Sequence, residues 1–197
     1  MFQDLHVLNE IHLAPYMEIA TALIGKKRHA GGNMFRHQVD TMAILIDYGY
    51  IDSILLKAAL VHDVIEDIPD FDVSKLLALD SESDAVYKLV LEVTKEKGQS
   101  KEDFLKRIAW KGSDKAKILK CADRISNMIA LGYVTDSEFI ARYCEETEYF
   151  IFPIALMVND RMYDELLWLT RTRSKYLEDS GYLEATYQKQ IEEAFVD

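Results

Sequence analysis

The sequence predicts an all-α protein, and three observations carry the prediction. Apolar residues recur at helical intervals along nearly the whole chain. No stretch shows the sustained alternation of a half-buried strand. The eight glycines and three prolines fall mostly where the helical patterns break. With no internal repeat and no low-complexity linker, residues 1–197 read as a single domain, its core over about 20–132 and its C-terminal helices over about 136–197.

The elements follow in order. Residues 4–26 carry Leu5, Leu8, Ile11, Leu13, Ile19, Leu23 and Ile24 at mostly helical spacing, interrupted by Pro15. The paired glycines and asparagine of "RHAGGN", 28–33, mark a loop. A helix is predicted from Phe35 to Asp47, closed by "YGY", and another from Asp52 to Glu66 with Asp52 or Ser53 as its N-cap and Pro69 beyond its end. Further helices are predicted over 72–80, 82–95, 101–110, 114–131, 136–158, 159–178 and 183–195. Gly98, Gly112, Gly132 and Gly181 fall between them, as helix stops do. Pro153 predicts a kink or a split within 136–158.

Composition narrows the function classes. Apolar residues make up 49% and charged residues 29%, which suits a globular chain with a core large enough to hold buried polar groups. A net charge of −11 disfavours nucleic acid and anionic membrane as partners, since both need basic fields. A small anionic ligand needs only a local positive patch. Cys121 and Cys144 fit neither a metal-binding pair nor a disulfide framework and read as small buried hydrophobes. The N-terminal stretch lacks a cleavage-site pattern, and no apolar run approaches the roughly 18–20 residues of a membrane helix. A cytoplasmic protein is expected, and a homo-oligomer is compatible with the sequence.

The stretch "ALVHDVIED", 59–67, stands out within this pattern. The predicted helix 52–66 is apolar on nearly every side, yet His62, Asp63, Glu66 and Asp67 arrive within six residues. His62 and Glu66 form one i, i+4 pair, and Asp63 and Asp67 another. Burying carboxylates costs too much unless cations or hydrogen bonds offset them, and a divalent metal is one such offset. Taken alone, the same residues equally describe a helix end that meets solvent.

Two other segments supply matching groups. "FRHQVDTMAIL" places His37 near the start of an apolar helix, and "AKILKCADRISNMIAL" places Asp123 in another, with Asn127 one turn on. The order H…HD…D across three helices offers two imidazole nitrogens and two carboxylate oxygens, a set suited to Mn²⁺, Fe²⁺ or Zn²⁺ and less to Ca²⁺. This pattern is the signature of the HD phosphohydrolase superfamily. Together with "LVLEVTK" (89–95) and "KILKCADRISNM" (117–128), it resembles the hydrolase domain of the Rel/SpoT alarmone enzymes and their small stand-alone relatives. The likeness runs from about Lys26 to Met128 and continues more loosely through 145–169, with no synthetase-like domain following.

The resemblance implies a multi-helix HD bundle around one central divalent metal, Mn²⁺ foremost. His37, His62, Asp63 and Asp123 fall on the metal ligands, and Glu66 and Asp67 on the catalytic acidic pair. Asn127 and Arg28 match two further positions expected to be catalytic. The implied reaction removes the 3′-pyrophosphate of (p)ppGpp, leaving GDP or GTP. In this acidic chain Lys26, Lys27, Arg28, His29 and Arg36 cluster just before the first ligand, and Lys27 and His29 join Arg28 and Asn127 as expected substrate contacts. A second basic group, Lys111, Lys115, Lys117 and Lys120, reads mainly as a solvated helix face.

The pattern departs from the family in places. Asn33 and Met34 stand where Pro-Tyr is common, Gln38 where a proline follows the first ligand, Ile68 where threonine is usual, and Ile129-Ala130 where Arg-Thr often follows Asn127. None is expected to touch the metal chemistry, and each is expected to bear on substrate recognition. An HD phosphohydrolase acting on another nucleotide, a ppApp-type alarmone or the 2′-phosphate of NADPH, is therefore a second reading. A non-catalytic nucleotide-binding regulator is a third, against which the intact Glu66, Asp67 and Asn127 speak.

Overall fold

A computed structural model describes the backbone of residues 2–29 and 32–194. Ala30 and Gly31 of the expected glycine loop, and Phe195 of the last expected helix, lie outside the described residues. The helices are α1 (Phe2–Glu10), α2 (Ala14–Ala20), α3 (Met34–Asp47), α4 (Ser53–Val61), α5 (Val64–Asp67), α6 (Val73–Leu77) and α7 (Ser83–Val93). They continue with α8 (Lys101–Lys111), α9 (Asp114–Ala130), α10 (Ser137–Glu146), α11 (Phe152–Val158), α12 (Asp160–Asp179) and α13 (Tyr182–Ala194). Among the described residues there is no strand, only an isolated antiparallel bridge between Lys27 and Asn33. No helix is long and apolar enough to cross a membrane.

Side-chain caps start most of these helices. Asn33 accepts from Arg36 N at 2.9 Å, and Asp52 from Leu55 N at 2.9 Å. Ser100, Ser113, Asp136 and Asn159 do the same for α8, α9, α10 and α12. Each such cap is worth ~1 kcal/mol.

Helix α4 is the centre of the bundle, with Leu55 through Val61 all buried. It packs against α2, α3, α7 and α9, while α9 also meets α11 and α12. Arg173 of α12 closes the C-terminal end of α9, reaching Met128 O at 3.4 Å and Ile129 O at 3.3 Å. Gly132 leaves room for that guanidinium, because a β-carbon there would come within 2.9 Å of Arg173 Nη2.

Two expected helices are divided. The stretch 52–66 is α4 and α5, separated by a turn at His62–Asp63. The backbone partners there differ from those of a continuous helix. In a continuous helix Asp63 N–H would reach the Ala59 carbonyl. Instead the His62 imidazole bonds that carbonyl through Nδ1 at 2.8 Å, and Asp63 N–H donates to Gln38 Oε1 at 3.4 Å. The i, i+4 face read from an unbroken helix therefore gives way to two short segments meeting at the HD pair. The stretch 136–158 splits at a π turn, Thr147–Ile151, and Pro153 falls in the first turn of α11. A proline has no N–H to give to the preceding turn, and wider spacing there absorbs the defect. Finally, the stretch 72–80 forms only the short α6.

Candidate active site

Three helices bring the expected ligands together. His37 lies in the first turn of α3 at 2% exposure, His62 caps α4 at 4%, and Asp123 sits mid-way along α9 at 6%. His37 Nε2 is 3.0 Å from Asp123 Oδ1 and 3.5 Å from Asp63 Oδ2. His62 Nε2 is 3.2 Å from Asp63 Oδ2 and 3.9 Å from Asp123 Oδ1. One donor atom each from His37, His62 and Asp123 lies within 4.8 Å of the others, with Asp63 Oδ2 at the edge of the group.

The surroundings aim these atoms. His37 Nδ1 meets Ser126 Oγ at 2.8 Å, which turns Nε2 inward. The Ala59 carbonyl bonded to His62 Nδ1 only accepts, so Nδ1 carries a proton and Nε2 is the nitrogen turned toward Asp63 and Asp123. That Nε2 is buried and makes no hydrogen bond. Asp123 Oδ1 accepts from Asn127 Nδ2 at 2.6 Å, and Oδ2 from Lys120 Nζ at 2.6 Å.

Burial lowers the His62 pKa, but Asp63 and Asp123 outweigh it and hold the group up to about 9. Burial likewise opposes ionisation of Asp123, and Lys120 with the two imidazoles keeps that carboxyl well below its usual range. The orphaned nitrogen, two inward carboxylates and a second imidazole fit a borderline divalent cation bound by mixed N and O donors.

Around this cluster lies a cavity of about 330 Å³, where Glu66, Lys95, Lys101, Lys120 and Arg124 join the ligands. Glu66 Oε2 accepts from Lys95 N at 3.2 Å. Asp67 faces elsewhere: it lines a neighbouring cavity of about 270 Å³ with Lys26, Lys27, Arg28, His29 and Phe139. There Lys26 Nζ pairs with Asp67 Oδ1 at 2.6 Å. Met34, Asn127 and Tyr143 line both cavities. Arg28 Nη2 donates to Asn127 Oδ1 at 2.7 Å, which links the basic loop to Asp123 through Asn127. His29 stacks on Phe139 at 4.3 Å between ring centres.

Several of these residues were not singled out from the sequence. Of the second basic group only Lys120 enters the site; Lys115 pairs with Asp52 at 2.7 Å, and neither cavity is lined by Lys111 or Lys117. Lys101, Phe139 and Tyr143 come from stretches with no motif to flag them, whereas Lys95 ends "LVLEVTK" and Arg124 and Ser126 lie within "KILKCADRISNM" without an assigned role. Arg124 bonds Glu146, which also pairs with Lys101 at 2.8 Å. Among the described residues no carboxylate makes a contact ion pair with Lys27, Arg28 or Lys95, which line the cavities, although Asp123, Asp40 and Asp63 act on the Arg28 charge from farther away.

The fold and the site together define an all-α bundle of the HD type with a buried imidazole–carboxylate cluster. No family model matches the chain, and no curated protein matches it. Among solved structures the chain is similar to a metazoan ortholog of SpoT, at 25% identity and a TM-score of 0.66, covering 81% of this chain and 96% of that one. That protein is described as hydrolysing ppGpp and playing a role in starvation responses. The resemblance to the HD alarmone hydrolases that the motifs carry is thus borne out across most of the chain.

Proposed function

We propose that this protein is a metal-dependent pyrophosphohydrolase that removes the 3′-pyrophosphate of (p)ppGpp, giving GDP or GTP and pyrophosphate. The observation that carries the reading is the buried His37–His62–Asp123 cluster beside cation-lined cavities, in a chain that shares its fold with a ppGpp hydrolase. We assign one domain, with its catalytic core over about 20–132, acting in the cytoplasm on a small nucleotide and not on nucleic acid. Mn²⁺ is the ion assigned, from a donor set that also suits Fe²⁺ and Zn²⁺.

His37, His62, Asp63 and Asp123 would hold the cation. A divalent ion there supplies Lewis acidity, lowering the pKa of water toward ~7 and polarising a phosphate oxygen. Glu66, fixed by the Lys95 backbone N–H, orients the attacking water and accepts its proton at the carboxylate. Arg28, fixed by Asn127, presents a planar guanidinium that neutralises the pyrophosphate. Asp67 anchors Lys26 and with it the basic loop, while Lys27 and His29 face the nucleotide in the second cavity.

A second reading, hydrolysis of a ppApp-type alarmone or of the NADPH 2′-phosphate, has one specific support. Met34 lines both cavities with an apolar side chain, in place of the tyrosine common in the family. Product analysis with Mn²⁺ against ppGpp, pppGpp, ppApp and NADPH separates the readings. Pyrophosphate release from ppGpp and pppGpp is the expected result. Release from ppApp alone, or phosphate from NADPH alone, moves the assignment to the second reading. Bound metal without turnover of any of the four makes the protein a nucleotide-binding regulator.

A further inference from the structure

Gln38 follows His37 on α3 and is fully buried. A buried amide must find partners, and both ends of this one bond a single residue. Nε2 donates to Asp63 Oδ2 at 2.9 Å, and Oε1 accepts from Asp63 N–H at 3.4 Å. The backbone bond gives the Asp63 N–H, which lies in the turn between α4 and α5, its partner. The side-chain bond selects the oxygen that lies 3.5 Å from His37 Nε2 and 3.2 Å from His62 Nε2.

We propose that Gln38 is a positioning residue for the metal site, holding the α4–α5 turn and directing Asp63 Oδ2 between the two imidazoles as the fourth donor. This rests on the metal-dependent reading above. Asp63 needs such support more than Asp123 does. Its side chain is 25% exposed against 9%, and it lies in a turn rather than within a helix. A proline at position 38 has no side-chain amide and could make neither bond.

The test is the Mn²⁺ dissociation constant, by calorimetry on the whole chain, of Gln38→Met in the wild-type and Asp63→Ala backgrounds. Loss of an outer partner of a ligand weakens metal binding about 10–100-fold, and that loss is expected in the wild-type background. In the Asp63→Ala background the same substitution should cost clearly less, since the bond to Oδ2 is already gone and only the longer 3.4 Å bond to the residue-63 N–H remains to be lost. Equal losses in both backgrounds, or none in the wild type, would overturn the proposal. Should Gln38→Met fail to fold, Gln38→Asn keeps the amide but shortens its reach, and the same comparison applies. With Co²⁺ as the probe, the visible spectrum of the position-38 variant should move toward that of Asp63→Ala; an unchanged spectrum counts against the proposal. A wild type that binds Mn²⁺ without hydrolysing ppGpp defeats the functional reading alone, whereas one that binds no Mn²⁺ defeats both.

Discussion

Helix α4 and its C-cap bury two ionisable side chains, Lys57 and His62, each 4% exposed, and treat them oppositely. The Lys57 ammonium donates to Asp80 Oδ2 at 2.8 Å and Glu82 Oε2 at 2.6 Å, and lies 5.3 Å from the centre of the Tyr16 ring. Tyr16 OH completes the group by donating to Asp80 Oδ1 at 2.9 Å. His62 has one ring nitrogen on a backbone carbonyl and the other without a hydrogen bond. A polar atom in a dry interior costs free energy until it is partnered. At Lys57 the chain meets that cost itself, so the charge serves the fold. At His62 the second nitrogen has only the acidic side chains of the cluster near it, Asp63 Oδ2 at 3.2 Å and Asp123 Oδ1 at 3.9 Å, within a group of donors that could hold a cation.

The sharpest way to break this comparison is Asp123→Ala, which should abolish both bound Mn²⁺ and hydrolysis. Metal analysis after dialysis checks it, and retained stoichiometry would remove Asp123 from the ligand set. Glu66→Gln should keep the metal and lower kcat about 10²–10⁴-fold, the usual range for loss of a general base; unchanged kcat would take Glu66 out of the mechanism. Arg28→Ala should leave metal content intact and lower kcat/KM about 10–100-fold, as expected when a charge-assisted contact is lost. A value within twofold of wild type would make the basic loop a surface feature.

Lys57→Met should act on the other side of the comparison, lowering stability by about 1–3 kcal/mol with Mn²⁺ affinity unchanged. Denaturant titration and calorimetry read the two quantities separately, and a matching loss of metal affinity would show that the regions are not independent. The smallest effect concerns pH. Lys57 and Tyr16 hold Asp80 below its ordinary value against its partial burial, and Lys57 with Ser53 holds Glu82 down. Depressed carboxylates contribute stability that is present above their unfolded values near ~4 and lost as pH falls through the folded ones. The wild-type Tm should therefore fall more steeply than that of Lys57→Met below about pH 4. Parallel acid limbs would mean the lysine does not set those two pKa values.

Where a signal is local, the sequence discloses it. Asn33, Asp52, Ser100, Ser113, Asp136 and Asn159 each sit within three residues of the N–H they cap, so helix starts are legible. The metal cluster is legible for a different reason, since His37, His62 and Asp123 are costly residues on otherwise apolar helices. The break at His62–Asp63 is not, because it depends on Gln38, 25 positions away. Lys117 and Lys120 share one helix, and only the direction each faces around α9 decides which enters the site. Glu66 and Asp67 are adjacent, yet the short α5 sends them to different cavities. Three-dimensional direction, rather than residue type, is what a linear reading lacks here.

The π turn at Thr147–Ile151 carries a consequence for how one stretch of chain serves two masters. An α-helix advances about 100° per residue, so the additional residue in a π turn shifts the angular phase of everything after it by about that amount. Before the turn, Tyr143 faces both cavities and Glu146 bonds Arg124 and Lys101. After it, Ile154 and Ala155 are fully buried in the core. Deleting one residue from 148–150 would restore regular winding and force a choice, since the face lining the cavities and the packing face could no longer both be in phase. The wide turn is a one-residue gear between chemistry and core.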